Sequence, residues 1–377
     1  PDTDNDTMEK INSDNAFTLS TGDMVFICDN VKKRVPGSSM YTVYTDDDGN
    51  TTGEDFKGEN LITGTIKGVA ENRTPTVYFL SGHGEKSLDS YTKFTTNLTN
   101  YNYAAKELNL SETDSVPDDA ALVLVAAPSK DITDAEAEKL NAYLDNGGNI
   151  SLLMSPNGGA FAYTNLEAIM KDYGFYMDYD RVSETNSNYH ISGDKYTIQC
   201  ELNELDDDSE ATDLTSSLLN QGLYTFMPES RSFRYNDEGG KYTIAPLITT
   251  YDSAEGEPYG GISDDPEKQS GQMLLAADST SIARNDSKMV VFGNAEFIDD
   301  EHVSDDTVIV PVYLFLSTIS WMYDSDIDME ISTKSTTNDY ISLQDAGFAK
   351  GLMVVLTVIP VAIMAAGIGI WIKRRNS

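Results

Sequence analysis

Residues 75–85 read PTVYFLSGHGE, and the first half of that stretch decides the fold. Thr76–Leu80 is a continuous apolar run without polar alternation, the mark of a strand covered on both faces. Such a strand needs neighbours of its own kind and helices on either side. Ala120–Ala126 (AALVLVA) and Asn149–Met154 (NISLLM) repeat the pattern, and Met289–Gly293 returns to it near the end. Helical stretches lie between them at Leu88–Leu98, Ala135–Leu144 and Leu166–Tyr173. Asp131 or Thr133 can cap the second of these, with Glu136 in its first turn, and Asn146-Gly147-Gly148 stops it. The alternation predicts an α/β, Rossmann-like domain over 71–323, built on a parallel sheet with right-handed crossovers.

Around this frame, residues 1–70 read as a small strand-rich region, the fragment of a longer ectodomain. Strands fall at Met24–Cys28 and Tyr41–Tyr44, a turn at 46–50, and a helical spacing over Glu59–Val69 that Gly64 and Gly68 weaken. A polar, Tyr-rich insertion at about 177–285 carries strands at Tyr196–Cys200, Leu223–Met227 and Ile244–Thr250. Val310–Tyr323 is an apolar helix with Pro311 near its start, where proline is tolerated.

The second half of the opening stretch is the candidate site. Gly82, His83, Gly84 and Glu85 follow the first strand at its carboxyl end, where α/β sheets place ligands. The glycines allow close backbone approach, and His83 with Glu85 offers a base and its partner. No G-x-S-x-G supplies a nucleophile, so a tight structural turn, or a loop contacting a ligand or partner, is a simpler reading than catalysis. No G-x-x-x-x-G-K-[ST] is present, so any ATPase engine would be a separate polypeptide. We expect no cofactor. The three histidines, His83, His190 and His302, show no paired metal spacing, and the alternating acids Asp324, Asp326, Asp328 and Glu330 lack the glycine an EF-hand needs, Met329 standing in its place. Cys28 and Cys200 can pair but make neither a zinc site nor a disulfide framework.

Charge narrows the partners. Twenty-six Lys+Arg against 62 Asp+Glu leave −36, a field that disfavours nucleic acid. Leu352 to Ile372 is an uncharged run about 31 Å long at ~1.5 Å per residue, with Pro360 near its middle and Lys373, Arg374 and Arg375 behind it. These residues predict a transmembrane helix over 351–373, a juxtamembrane stalk over 324–350 and a cytoplasmic tail at 374–377, with the bulk of the chain extracytoplasmic. Since the sequence starts at Pro1, an upstream helix or signal is expected to precede it.

Several blocks together resemble the GldG family of gliding and ABC-transporter auxiliary proteins. They are VYFLSGHGEKS at 77–87, AAPSKDIT-x-AEAEKLNAYLDNGGNISLLMSP beginning at 126, FMPESRSF at 226–233, VVFGNAEFIDD at 290–300 and YLFLSTISWM at 313–322. The resemblance implies a domain shared with intraflagellar transport proteins, and partnership with an ABC-2-type permease and a separate ATPase subunit. It supplies no catalytic residue. The expectation is a non-enzymatic, membrane-anchored accessory subunit whose outer domain binds a partner or an extracellular cargo or glycan. The competing expectations are an anchored glycan- or solute-binding module and a degenerate amidotransferase-like hydrolase.

Overall fold

The computed structural model describes residues 22–29, 31–35, 37–45, 51–56, 58–71, 74–101, 103–205, 211–219, 225–236, 240–259, 269–303 and 308–323, together with 11, 334–335 and 375. The alternating acids at 324–330 and the turn at 46–50 lie outside these.

The first strands among the described residues form an antiparallel hairpin, β1 (Met24–Cys28) and β2 (Val31–Val35), with Asp29 between them at φ 50°. Strands β3 (Tyr41–Thr45) and β4 (Thr51–Phe56) form a small sheet with Lys334–Ser335. Helix α1 (Gly58–Glu71) follows despite its two interior glycines; buried Leu61, Thr65 and Val69 share one face at helical spacing.

The body begins with β5 (Thr76–Leu80), whose five residues are all buried. Crossover helix α2 (Thr92–Asn100) leads to β6 (Ala104–Leu108), a strand the sequence reading missed because its pattern is half exposed: it is the sheet's edge. Then come β7 (Ala120–Ala126), α3 (Asp134–Asp145), β8 (Ile150–Leu153) and α4 (Thr164–Lys171). Thr133 is the N-cap of α3, making a capping box with Glu136. Asp131 serves α4 instead, accepting from the backbone N–H of Asn165 at 2.7 Å and Leu166 at 3.3 Å.

The stretch around 177–285 supplies β9 (Phe175–Met177), β10 (Asp180–Glu184), β11 (His190–Ile191), β12 (Asp194–Leu202), the short helix α5 (Ser216–Leu219), β13 (Thr225–Met227), β14 (Phe233–Tyr235), β15 (Tyr242–Thr250), β16 (Ala254–Pro258), β17 (Gln269–Ser270) and β18 (Leu274–Ser281). Last come β19 (Ser287–Phe292) and α6 (Ile309–Met322). The long sheet runs β11-β12-β15-β18-β19-β8-β7-β5-β6. From β19 to β6 every pairing is parallel; from β19 to β11 every pairing is antiparallel. Pro246 sits inside β15, tolerated because the ladder with β18 shifts register there.

The sheet's two faces carry two cores. Val77, Phe79, Leu122, Leu124 and Phe292 face one way and meet Phe94 and Leu98 of α2 and Phe315 of α6. Tyr78, Leu80, Val123, Val125 and Leu152 face the other and meet Leu140, Leu144 and Ile169. Alternate residues therefore serve opposite cores, which is why the run is apolar throughout. Each such side chain contributes about 1.5–3 kcal/mol by leaving water. Phe315 knits its side of the sheet together, stacking on Phe94 at 5.6 Å and meeting Phe292 and Phe297 edge-on at 5.6 and 5.9 Å.

The expected fold class is corrected on two counts. The sheet is mixed, not a parallel Rossmann-like one: β18 reverses into β19 through a tight turn over 282–286, and a connection that short can join only antiparallel strands. Nor is a C-terminal transmembrane helix supported, since among the described residues no helix is long and apolar enough to cross a membrane. The most apolar, α6, has 14 residues, about 21 Å at ~1.5 Å each, and is buried nearly all round, as a core helix is. Leu352, Pro360, Ile372, Lys373 and Arg374, with the segment 351–373, lie outside the described residues; Arg375 alone of that set is described, and is exposed.

Candidate functional site

In chain order the connection from β5 goes to β6 on one side, and the next strand, β7, lies on its other side. The carboxyl ends of β5 and β7 therefore flank a topological switch point, where α/β sheets open a crevice. The loop Gly82–Glu85 is at that point, as the sequence placed it.

Gly82 and Gly84 take left-handed φ values of 108° and 83°. A Cβ on Gly84 would fall on the Ser129 hydroxyl, so the second glycine is required by close approach of the β7 loop. The backbone of His83 is clamped on both sides: its carbonyl accepts from the Ser129 N–H at 2.8 Å, and its N–H donates to Glu85 Oε2 at 2.7 Å. The ring is 3% exposed. Its Nδ1 lies 3.3 Å from Glu85 Oε1 and its Nε2 3.0 Å from Glu136 Oε2. Glu136 Oε2 also accepts from the N–H and hydroxyl of Thr133 at 2.8 and 2.7 Å. The third residue of α3, which closes the capping box with Thr133, is thus also the histidine's second partner.

Electrostatics agree with this geometry. The bond to Glu85, aided by Glu136, raises the His83 pKa against the opposing effect of burial. Burial resists ionisation of Glu136, but the Thr133 donors and His83 prevail and lower its pKa. With both ring nitrogens facing carboxylates, both can donate at once only when the ring is protonated, so the two carboxylates favour the imidazolium. A general base needs a free ring nitrogen facing substrate. His83 has none to offer here. Among the described residues no hydroxyl or thiol bonds its ring, and no cluster of His, Cys, Asp and Glu is arranged for a metal. Cys28 and Cys200 are both free; Cys200 is buried, which pushes its thiol pKa up.

Next to this cluster, Lys86 pairs with Asp299 at 2.6 Å, and Asp299 meets His302 Nδ1 at 2.7 Å. The Asp299 carboxyl resists burial and is held low by those two partners. This ties the β5 loop to the β19 loop. His190 stands apart, its Nδ1 at 2.7 Å from the Ile191 carbonyl.

A residue the sequence reading did not single out sits at the ends of β8 and β19. Arg231, between β13 and β14, is 0% exposed. Its backbone N–H donates to the Gly293 carbonyl at 3.0 Å and its Nη2 to the Ser155 carbonyl at 2.8 Å. Its guanidinium lies 5.5 Å from the ring centroids of both Tyr163 and Tyr179. The only signal in the sequence was an arginine between two serines in FMPESRSF, which periodicity cannot mark as buried.

The fold is a mixed α/β domain with loops gathered at the carboxyl ends of its parallel strands. The chain belongs to the ABC-type uncharacterized transport system family of transport auxiliary proteins, whose model matches residues 74–308. Among solved structures, the N-terminal domain of mmIFT52 resembles it with a TM-score of 0.51 and 17% identity, covering 67% of this chain and 99% of that one. That likeness shows the fold and agrees with the resemblance to GldG. A putative GMP synthase subunit from Thermoplasma acidophilum (TM-score 0.32, 7% identity, 67% of this chain and 96% of that one) is more distant. So is the exo-β-1,4-mannosidase Op5Man5 from Opitutaceae bacterium strain TAV5 (0.33, 8%, 74% and 40%). No curated protein matches the chain.

Proposed function

We propose that this chain is a non-enzymatic, GldG-like auxiliary subunit of an ABC-2-type transport system, working beside a permease and a separate ATPase subunit. Its α/β body binds a partner or cargo through the carboxyl-end crevice. The observation that carries the binding half of this reading is the state of His83. At the place where a hydrolase would keep a free base, both ring nitrogens are spent on Glu85 and Glu136. The family match supports the transport half. Purification from native membranes in mild detergent tests the assignment: permease and ATPase subunits should accompany the chain. Their absence would overturn it in favour of a free-standing solute-binding module. A His83→Gln variant that folds yet abolishes transport with the complex intact would revive a catalytic role.

A further inference from the structure

We propose that Arg231 anchors a binding site for a small solute bearing a single carboxylate, at the carboxyl ends of β8 and β19. This rests on the auxiliary-subunit reading and deepens it by naming a cargo class and placing its site two strands along from the His83 loop, at the ends of β8 and β19.

The first support is an orphaned cation. Arg231 is wholly buried, and its Nε and Nη1 have no hydrogen-bond partner among the described residues. Guanidinium donors are among the most costly groups to leave unpaired out of water. The chain is rich in acids, yet Arg231 forms no ion pair among the described residues. The nearest carboxylates are committed elsewhere. Asp180 accepts from the Ser232 N–H at 2.9 Å and hydroxyl at 2.8 Å, and Asp178 pairs with Arg234 at 2.8 Å. The two tyrosine rings flank the cation without supplying an acceptor.

The second support is the cover. Residues 155–163 run from the Arg231 acceptor Ser155 to the flanking Tyr163. Gly158 and Gly159, at φ 65° and 72°, form the loop's apex. A side chain at Gly158 would meet nothing within 4 Å, so the apex faces open space, while Asn157 braces the turn by donating to the Phe161 carbonyl at 2.9 Å.

The third concerns ligand charge. Asp180 acts on the Arg231 charge and shares the Ser232 hydroxyl with Asp178, acids that a dianion such as phosphate would face at twice the cost of a monoanion. A carboxylate matches the guanidinium fork and carries one charge.

The test uses the purified full chain, so that a failure here is separate from a failure to find transporter subunits. Sodium acetate, sodium phosphate and sodium chloride are titrated at matched ionic strength while thermal unfolding and the ¹⁵N-edited arginine Nε–H spectrum are followed. Acetate should raise Tm saturably and shift one solvent-protected Nε–H signal; phosphate and chloride should do neither. Arg231→Lys should weaken acetate binding about tenfold or more, the loss of one charged hydrogen bond. If that variant does not fold, the wild-type Nε–H titration carries the decision. Identical responses to acetate and chloride, phosphate binding in place of acetate, or a folded Arg231→Lys chain with unchanged affinity would each overturn the proposal.

Discussion

His83 and Arg231 lie at the carboxyl ends of different strands of the same sheet, β5 for one and β8 and β19 for the other, and both are shut off from solvent. They differ in what surrounds the charge. Every polar atom of the His83 ring is met by a carboxylate, and the partners come from a loop and a helix cap that fold brings together. Arg231 has one side-chain bond, two ring faces and two donors left over. The more conspicuous motif is the finished one and serves as a bolt between β5 and α3. The unremarked arginine is the unfinished one. Buried charge alone does not mark a site; buried charge with unmet valence does.

The contrast can be broken most sharply at His83. His83→Leu leaves Glu85 and Glu136 buried without their shared cation, and should cost about 3 kcal/mol of unfolding free energy in urea titrations. The loss should depend on pH. The folded-state pKa of His83 is raised, so its stabilisation is full below the ordinary value near 6.5 and fades as pH climbs through the higher folded value. The gap between wild type and variant should therefore narrow on the alkaline side; a constant gap would mean the ring packs as a neutral group.

On the Arg231 side, Gly293→Ala places a methyl against the Arg231 carbonyl and should cost about 2 kcal/mol, read by the same titration. A loss within a few tenths would show that the clamp at the end of β19 is slack. Thr133→Ala removes the cap of α3 and should cost about 1 kcal/mol while the His83–Glu136 contact persists, visible as an unchanged His83 titration by NMR.

The smallest expected effect has the opposite sign. Asp278 lies mid-strand in β18, fully buried with Oδ2 unpaired, and burial holds its pKa well above the ordinary 3.8. The unfolded chain ionises this group first, so stability falls as pH rises above that value. Asp278→Asn should flatten that fall and leave the neutral-pH protein somewhat more stable, with no change in acetate binding. Were acetate binding to change as well, an orphaned atom would report general strain and the distinction drawn for Arg231 would fail.

Much of the body was legible because burial on both faces writes itself into composition. TVYFL, AALVLVA and MVVF permit hardly any other reading. Placing SGHGE at a strand's carboxyl end followed from the same pattern. β6 was hidden because an edge strand carries Lys106 and Glu107 outward and loses the continuous apolar signal. β18 was hidden for another reason: its LLAADSTS turns polar halfway, though seven of its eight residues are buried. Small hydroxyl side chains reach backbone carbonyls inside the core, as Ser279 and Ser281 do with Tyr173 and Asp172, and hydropathy counts them as surface.

Sequence by itself determined that a doubly covered sheet exists, that the segments of β5, β7, β8 and β19 cross it, that the helix after β7 is capped at Asp131 or Thr133, and that a glycine-rich loop tops its first inner strand. Those properties depend on neighbours within a few residues, or on the plain cost of exposing apolar surface. Only the tertiary structure decided that the sheet reverses direction at β19, that Glu136 is shared between a helix cap and a histidine 53 residues away, and that Arg231 is buried with donors to spare. Such facts are set by which distant groups arrive at one place, and the energy of a buried charge is fixed by that company and not by the residues beside it in the chain.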